Sequence, residues 1–136
     1  MPVADTEFLF ALNPRDRKHS YAMRLLKEVS GLTVPDTAAL EFQVVLRARG
    51  RSPSQVKMAL LAIHEALKQN NVKEVKTIDV ALLAYQSELE ERFGLSYFDS
   101  LIAASALMLD RQVVSDDEAF DKVPGLIRIK LSSRGV

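Results

Sequence analysis

Tyr97-Phe98-Asp99-Ser100-Leu101-Ile102-Ala103-Ala104-Ser105-Ala106-Leu107, with Val113-Val114-Ser115-Asp116-Asp117 shortly after it, is the most informative part of the chain. The first run reads as a helix apolar on nearly every side, with no charge between Asp99 and Asp110. A helix of that kind is buried. Its alanines take little volume and let it lie close to a sheet. Yet it opens on a carboxylate, and helical spacing puts Asp99, Ile102, Ala103 and Ala106 on one face. The β-branched run that follows reads as a strand ending in Ser-Asp-Asp. Carboxylates at the start of a buried helix and at the tip of the next strand are costly to bury without a partner.

Outward from this stretch, strands and helices alternate. Pro2-Val3-Ala4 reads as a strand ending at Asp5, and Thr6 to Leu12 as a short helix broken by Asn13-Pro14. Residues 16 to 29 show helical spacing, with Tyr21, Leu25, Leu26 and Val29 on one side and Gly31 as the closing cap. Leu32-Thr33-Val34 is a second strand. Pro35-Asp36-Thr37 opens a helix to about Arg49, ended by Gly50. Ser52-Pro53 caps the next helix, which runs to about Gln69 with Val56, Ala59, Leu60, Ile63 and Leu67 inward. Val75 to Ile78 is the third strand, and Asp79 caps a helix through about Phe93, stopped by Gly94. Ser96 caps the uncharged helix. Gln112 to Ser115 is the clearest strand, Phe120 lies in a short helix, and Pro124-Gly125 turns into a last strand, Leu126 to Leu131. Such alternation predicts one α/β domain over residues 1–136 with a mainly parallel sheet. Sites in such sheets form outside the carboxyl ends of the strands.

Composition narrows the function classes. The 136 residues are 48% hydrophobic and 26% charged, with zero formal net charge. That suits an ordinary soluble globule and argues against attachment to nucleic acid by bulk charge alone. It leaves room for a local basic rim. No cysteine is present, so disulfides and thiolate metal sites are excluded. Asp5 and Glu7 near the start, without a basic lead, predict no signal peptide. No apolar run approaches the roughly 18 residues of a membrane span. The expected location is the cytoplasm, with no membrane partner.

Four carboxylates stand out. Asp5 ends the first strand, Glu41 lies inside the arc of its helix that also holds Leu40 and Val44, Asp99 opens the buried helix, and Asp117 tips the strong strand beside Asp116. In a parallel sheet all four point to one edge. Oxygen ligands of this kind suit hard divalent cations such as Mg²⁺ and Mn²⁺. Two carboxylates about 4 Å apart repel by about 4 kcal/mol at an effective dielectric near 20. A cluster therefore holds protons or needs a cation. The plainer reading is capping: Ser96-x-x-Asp99 and Ser115-x-x-Glu118 have capping-box spacing, and Asp5 can cap the helix after it. Glu41 has no such role. Arg47, Arg49 and Arg51 suit a helix C-terminus as well as a phosphate-gripping rim, and Arg15, Arg17 and Lys18 have the same two readings. Tyr97 and Phe98 pack, join copies of the chain, or stack an unpaired base. His19 and His64 lack partners at metal-ligand spacing and read as surface or packing residues.

The ordered set resembles the PIN domain family, and most closely its small VapC-type toxins. Val3-Ala4-Asp5-Thr6, Lys18-His19-Ser20-Tyr21-Ala22, Thr37-Ala38-Ala39-Leu40-Glu41, the run from Tyr97 to Ala106, and Val113 to Phe120 are similar to its motifs in order, and Pro124-Gly125-Leu126 fits what usually follows. The last motif, hydroxyl-x-acid-x-x-Phe, puts the acid on Asp117, with Asp116 one residue away as the alternative. Glu7 stands where the family often has asparagine. The resemblance implies a three-layer α/β/α sandwich and a ribonuclease that cleaves RNA with metal-activated water. Mg²⁺ or Mn²⁺ would be held by Asp5, Asp99 and Asp117, with Glu41 on a second ion or a water. It also implies a toxin inhibited by a cognate antitoxin protein, and a homodimer. Two other readings are a non-catalytic RNA-binding or scaffold module, and a phosphatase with an aspartyl nucleophile. The second normally wants aspartate at position 7, where this chain has glutamate.

Overall fold

The computed structural model describes residues 1–132. Five short strands occur: β1 (Val3–Ala4), β2 (Thr33–Pro35), β3 (Lys73–Val75), β4 (Gln112–Val114) and β5 (Ile127–Ile129). Six helices connect them: α1 (Thr6–Ala11), α2 (His19–Glu28), α3 (Asp36–Ala48), α4 (Pro53–Gln69), α5 (Val80–Phe93) and α6 (Tyr97–Met108). A 3₁₀ turn at Glu118–Lys122 precedes β5. The strands pair in the order β3-β2-β1-β4-β5, and every pairing is parallel. Helices cover the sheet in a three-layer α/β/α sandwich.

The central strands are the driest part. Val3, Ala4, Val113 and Val114 have no exposed surface, as a parallel sheet covered on both faces requires. The uncharged run becomes α6, in which every residue from Ser100 to Ala106 is buried. It packs on α5, α3 and β4. Polar caps set its neighbours: Ser52 and Gln55 form a capping box at α4, Asp79 caps α5, and Gly94 ends α5 at φ +65°, where a side chain would be strained.

Five local expectations are corrected. The third strand is Lys73–Val75, not Val75 to Ile78. The backbone N–H groups of Thr77 and Ile78 donate to the Asp36 carboxylate at 3.0 Å and so leave the ladder. The last strand stops at Ile129, and the Leu131 N–H donates to Asp116 at 2.9 Å. Gly31 (φ +74°) lies in the turn after α2, whose cap is Val29. Ser115 and Glu118 do not form a capping box: Asp117 caps the 3₁₀ turn, accepting from Ala119 N–H at 2.9 Å. Leu40 and Val44 are 38% and 40% exposed, and the buried stripe of α3 is Thr37, Ala38, Phe42 and Leu46. Glu41, half-buried, still falls on the inward face, between Thr37 and Ala38 on the helical wheel.

Candidate active site

Between β1 and β4 the strand order reverses, with β2 and β3 on one side and β5 on the other. Ligands of open α/β sheets gather at that switch point, beyond the carboxyl ends of the strands. Asp5 is the first residue after β1, tied to the neighbouring strand by its N–H to Val114 O at 3.2 Å. It is only 7% exposed. Its carboxyl group caps α1, accepting the Glu7 N–H at 3.1 Å. The fully buried Ser115, one residue past β4, hydrogen-bonds the Asp5 side chain and accepts the Asp117 N–H at 2.9 Å. A single hydroxyl thus links the first and last acids.

Glu41 reaches the same place from α3. Thr6, at the start of α1, donates its hydroxyl to the Glu41 carboxylate and lies 3.4 Å from Ala38 O. Asp99 sits in the first turn of α6, where its N–H donates to Ser96 Oγ at 3.2 Å. Its side chain hydrogen-bonds both Asp117 and Ser96.

Three of the four acids, Asp5, Glu41 and Asp99, have raised proton affinity. Burial pushes Asp5 up to about 8, against the Ser115 hydrogen bond and with the charges of Glu7 and Glu41 adding to it. Asp99 is pushed up to about 6 by burial, then by Asp117 and more weakly by Glu41. Glu41 is raised by burial, opposed by Thr6 and reinforced by Asp117. Asp5 and Asp117 thus cap helices as well as standing among the acids, whereas Ser96, not Asp99, caps α6, without the reciprocal bond of a capping box.

Asp116 behaves differently from its neighbour. Burial alone would raise it, but Lys18 and Ser132 together draw it down to about 2. It accepts the Leu131 and Ser132 N–H groups at 2.9 and 3.0 Å and the Lys18 ammonium at 2.9 Å. Of the adjacent pair, Asp117 is the one facing Asp99 and Glu41.

The donor set suits a divalent cation by its chemistry: hard carboxylate oxygens from separate elements, with no cation among the described residues bonded to them. Lys18 is committed to Glu7 and Asp116 rather than to these four. Among the described residues no three His, Cys, Asp or Glu side chains already close around one point. That is compatible with Mg²⁺, which keeps several waters and takes one or two carboxylates. The histidines do other work: His19 Nδ1 pairs with Ala11 O at 2.8 Å, and His64 with Glu74 at 2.5 Å.

Compared with known proteins, the chain matches the PIN domain model over residues 3–126. The chain belongs to the PIN domain family. No curated protein matches it. Among solved structures, this PIN domain is similar to VapC20 of Mycobacterium tuberculosis, a sarcin-ricin loop cleaving toxin. The two are 19% identical at a TM-score of 0.69, covering 89% of this chain and 93% of that one. It is also similar to DNA-bound VapBC of Salmonella typhimurium, 15% identical at a TM-score of 0.67, covering 96% and 99%. VapBC2 of Rickettsia felis, bound to a promoter fragment, is 19% identical at a TM-score of 0.66, covering 94% and 96%. These likenesses establish the fold.

The contacts of two side chains of this PIN domain were not legible in the sequence. Lys18 bridges residues 11 and 98 positions away. Asp36 reads as a helix-start residue but holds the loop before α5. The sequence marked Lys18 as a rim cation and as part of a family-like motif; the signal for its bridging contacts was a surplus, since Asp5 and Asp117 each have a second acid within two residues.

Proposed function

We propose that this PIN domain is a divalent-metal-dependent endoribonuclease and the toxin of a VapBC-type toxin–antitoxin pair, acting in the cytoplasm. The observation that carries the reading is the convergence of Asp5, Glu41, Asp99 and Asp117 at the switch point, with proton affinity raised at three of them. Asp99 and Asp117, with Asp5 behind them and Glu41 beside them, would hold Mg²⁺ or Mn²⁺. Such an ion polarises a phosphoryl oxygen and makes water more acidic. The chain's own contribution is placement. Ser115 fixes Asp5 relative to Asp117, and Thr6 aims Glu41 at Asp117. Tyr97, half exposed beside Asp99 and edge-on to Phe98 at 5.2 Å, offers a face for an unpaired base.

Two surfaces support the partners. A groove between the end of α1, α3 and α4 has Phe10, Phe42 and Ile63 on its floor and Arg15, Arg49 and Arg51 on its rim. The Arg49 guanidinium stacks on Phe10 at 5.0 Å. Apolar floor and basic rim suit an acidic, amphipathic segment of an antitoxin. Leu40, Val44, Val80 and Leu83 leave apolar surface exposed on α3 and α5, which favours a homodimer.

Cleavage of a structured RNA in Mg²⁺, against a chelator control, tests the activity. Asp99→Asn should lose about a hundred- to a thousandfold in rate, the scale of a lost electrostatic group at the reacting centre. Its circular dichroism spectrum should match the parent's. An Asp99→Asn chain that cuts as fast as the parent rejects the reading.

A further inference from the structure

The acidic site draws on two acid-rich segments, Asp5-Thr6-Glu7 and Asp116-Asp117, and in each one acid is bonded to a cation while, among the described residues, Asp5 and Asp117 are not. That cation is Lys18. Its ammonium, mostly covered, donates to Glu7 Oε2 and to Asp116 Oδ2, both at 2.9 Å. The same Glu7 accepts the Asp116 backbone N–H on its other oxygen at 3.3 Å. Asp116 in turn accepts the Leu131 and Ser132 N–H groups on its other oxygen. Lys18 is itself held, its N–H donating to Asp16 at 2.8 Å just before α2. One cation therefore ties the first turn of α1, the entrance of α2, the tip beyond β4 and the chain after β5.

We infer that Lys18 is a positioning residue for the acidic pocket: it draws Glu7 and Asp116 aside and fixes the backbone that aims Asp5 and Asp117 at one another's neighbours. This rests on reading the pocket as a divalent-ion site. The geometry decides which carboxylate of each pair is left for an ion. Asp117 follows Asp116 directly, so a twist of the Asp116 backbone swings Asp117 away from Asp99. Asp5 lies two residues before Glu7 and accepts its N–H, so a displaced Glu7 loosens the Asp5 cap.

The sign of one affinity change separates positioning from plain charge. By charge alone, removing a lysine beside an acidic pocket tightens binding of a divalent cation. By positioning, it loosens binding. Mn²⁺ titrated into the folded chain and followed by the electron paramagnetic resonance signal of the free ion reads this without any RNA. Lys18→Met should bind Mn²⁺ at least fivefold more weakly than the parent, and Lys18→Arg, which restores two N–H donors and the charge, should return to within about twofold. Should the methionine variant not fold, Lys18→Gln is held to the same sign. Glu7→Gln keeps an oxygen that can accept from Lys18 and from the Asp116 N–H, so its loss should be smaller than that of Lys18→Met. Equal or tighter Mn²⁺ binding in Lys18→Met, or a loss in Glu7→Gln larger than in Lys18→Met, overturns the inference. A parent that binds Mn²⁺ but cuts no RNA rejects the nuclease reading and leaves this one standing. A parent that binds no Mn²⁺ rejects both.

Discussion

Asp5→Asn should stabilise the metal-free protein at neutral pH. The parent buries a carboxyl group whose folded proton affinity corresponds to about 8. In the unfolded chain an aspartate titrates near 3.9. Between those two values the folded state binds the extra proton, so stability falls as pH rises. The full stability is present below about pH 4 and erodes until about pH 8. The erosion is about 1.4 kcal/mol per pH unit, and about 4 kcal/mol by pH 7. Asparagine keeps the side-chain oxygen that accepts the Glu7 N–H, ranks with aspartate as a cap, and has no proton to lose. Part of the gain is lost where the new amide N–H meets Ser115, so about 2–4 kcal/mol is expected at pH 7. In urea that is a midpoint higher by roughly 1–2 M. Urea unfolding followed by circular dichroism in chelator, at pH 5, 6, 7 and 8, measures it. The gap between variant and parent should widen steadily with pH. A gap that is absent at pH 7, or as large at pH 5 as at pH 7, refutes the reasoning.

Asp36→Ala should cost about 2–4 kcal/mol, because the Thr77 and Ile78 N–H groups and the Thr77 hydroxyl lose their common acceptor. Chemical denaturation at pH 7 checks it, and an effect under about 0.5 kcal/mol would refute it. Asp116 titrates in the opposite sense to Asp5: its folded value is drawn down to about 2, so its contribution of roughly 2 kcal/mol is present above about pH 4 and is lost as pH falls toward 2. Asp116→Asn should therefore flatten the acid limb of the parent's stability curve between pH 4 and 2, as read by urea midpoints across that range. Equal slopes in the two chains would contradict it.

Much of the architecture was legible because local chemistry announced it. Ser52, Asp79, Ser96 and Gly94 each sit where a cap belongs, and each caps a helix in the structure. The uncharged run around Ala103 could only be interior, and it is. The parallel sheet followed from the alternation of elements. What failed to show was set by partners far away in sequence. Asp36 takes the N–H groups that would have carried the third strand on to Ile78, across a separation of 41 residues. Asp116 similarly ends pairing beyond Ile129. Periodicity marked Leu40 and Val44 as inward, but α3 buries Phe42 and Leu46 instead, with Glu41 on the inward side between Thr37 and Ala38. The acids themselves were visible as anomalies, yet sequence could not choose between Asp116 and Asp117. In the structure Asp116 is bonded to Lys18, 98 residues away in sequence.

The claim beneath all of this is that carboxylates distant in the chain meet around one place meant for an ion. Crystals grown in saturating Mn²⁺ and measured at the manganese absorption edge address it directly. The account predicts an anomalous peak within coordination reach of both the Asp99 and Asp117 side chains, with Asp116 still on Lys18. No peak there at full occupancy of Mn²⁺ in solution, or a peak at Asp116 and Glu7 instead, would contradict it.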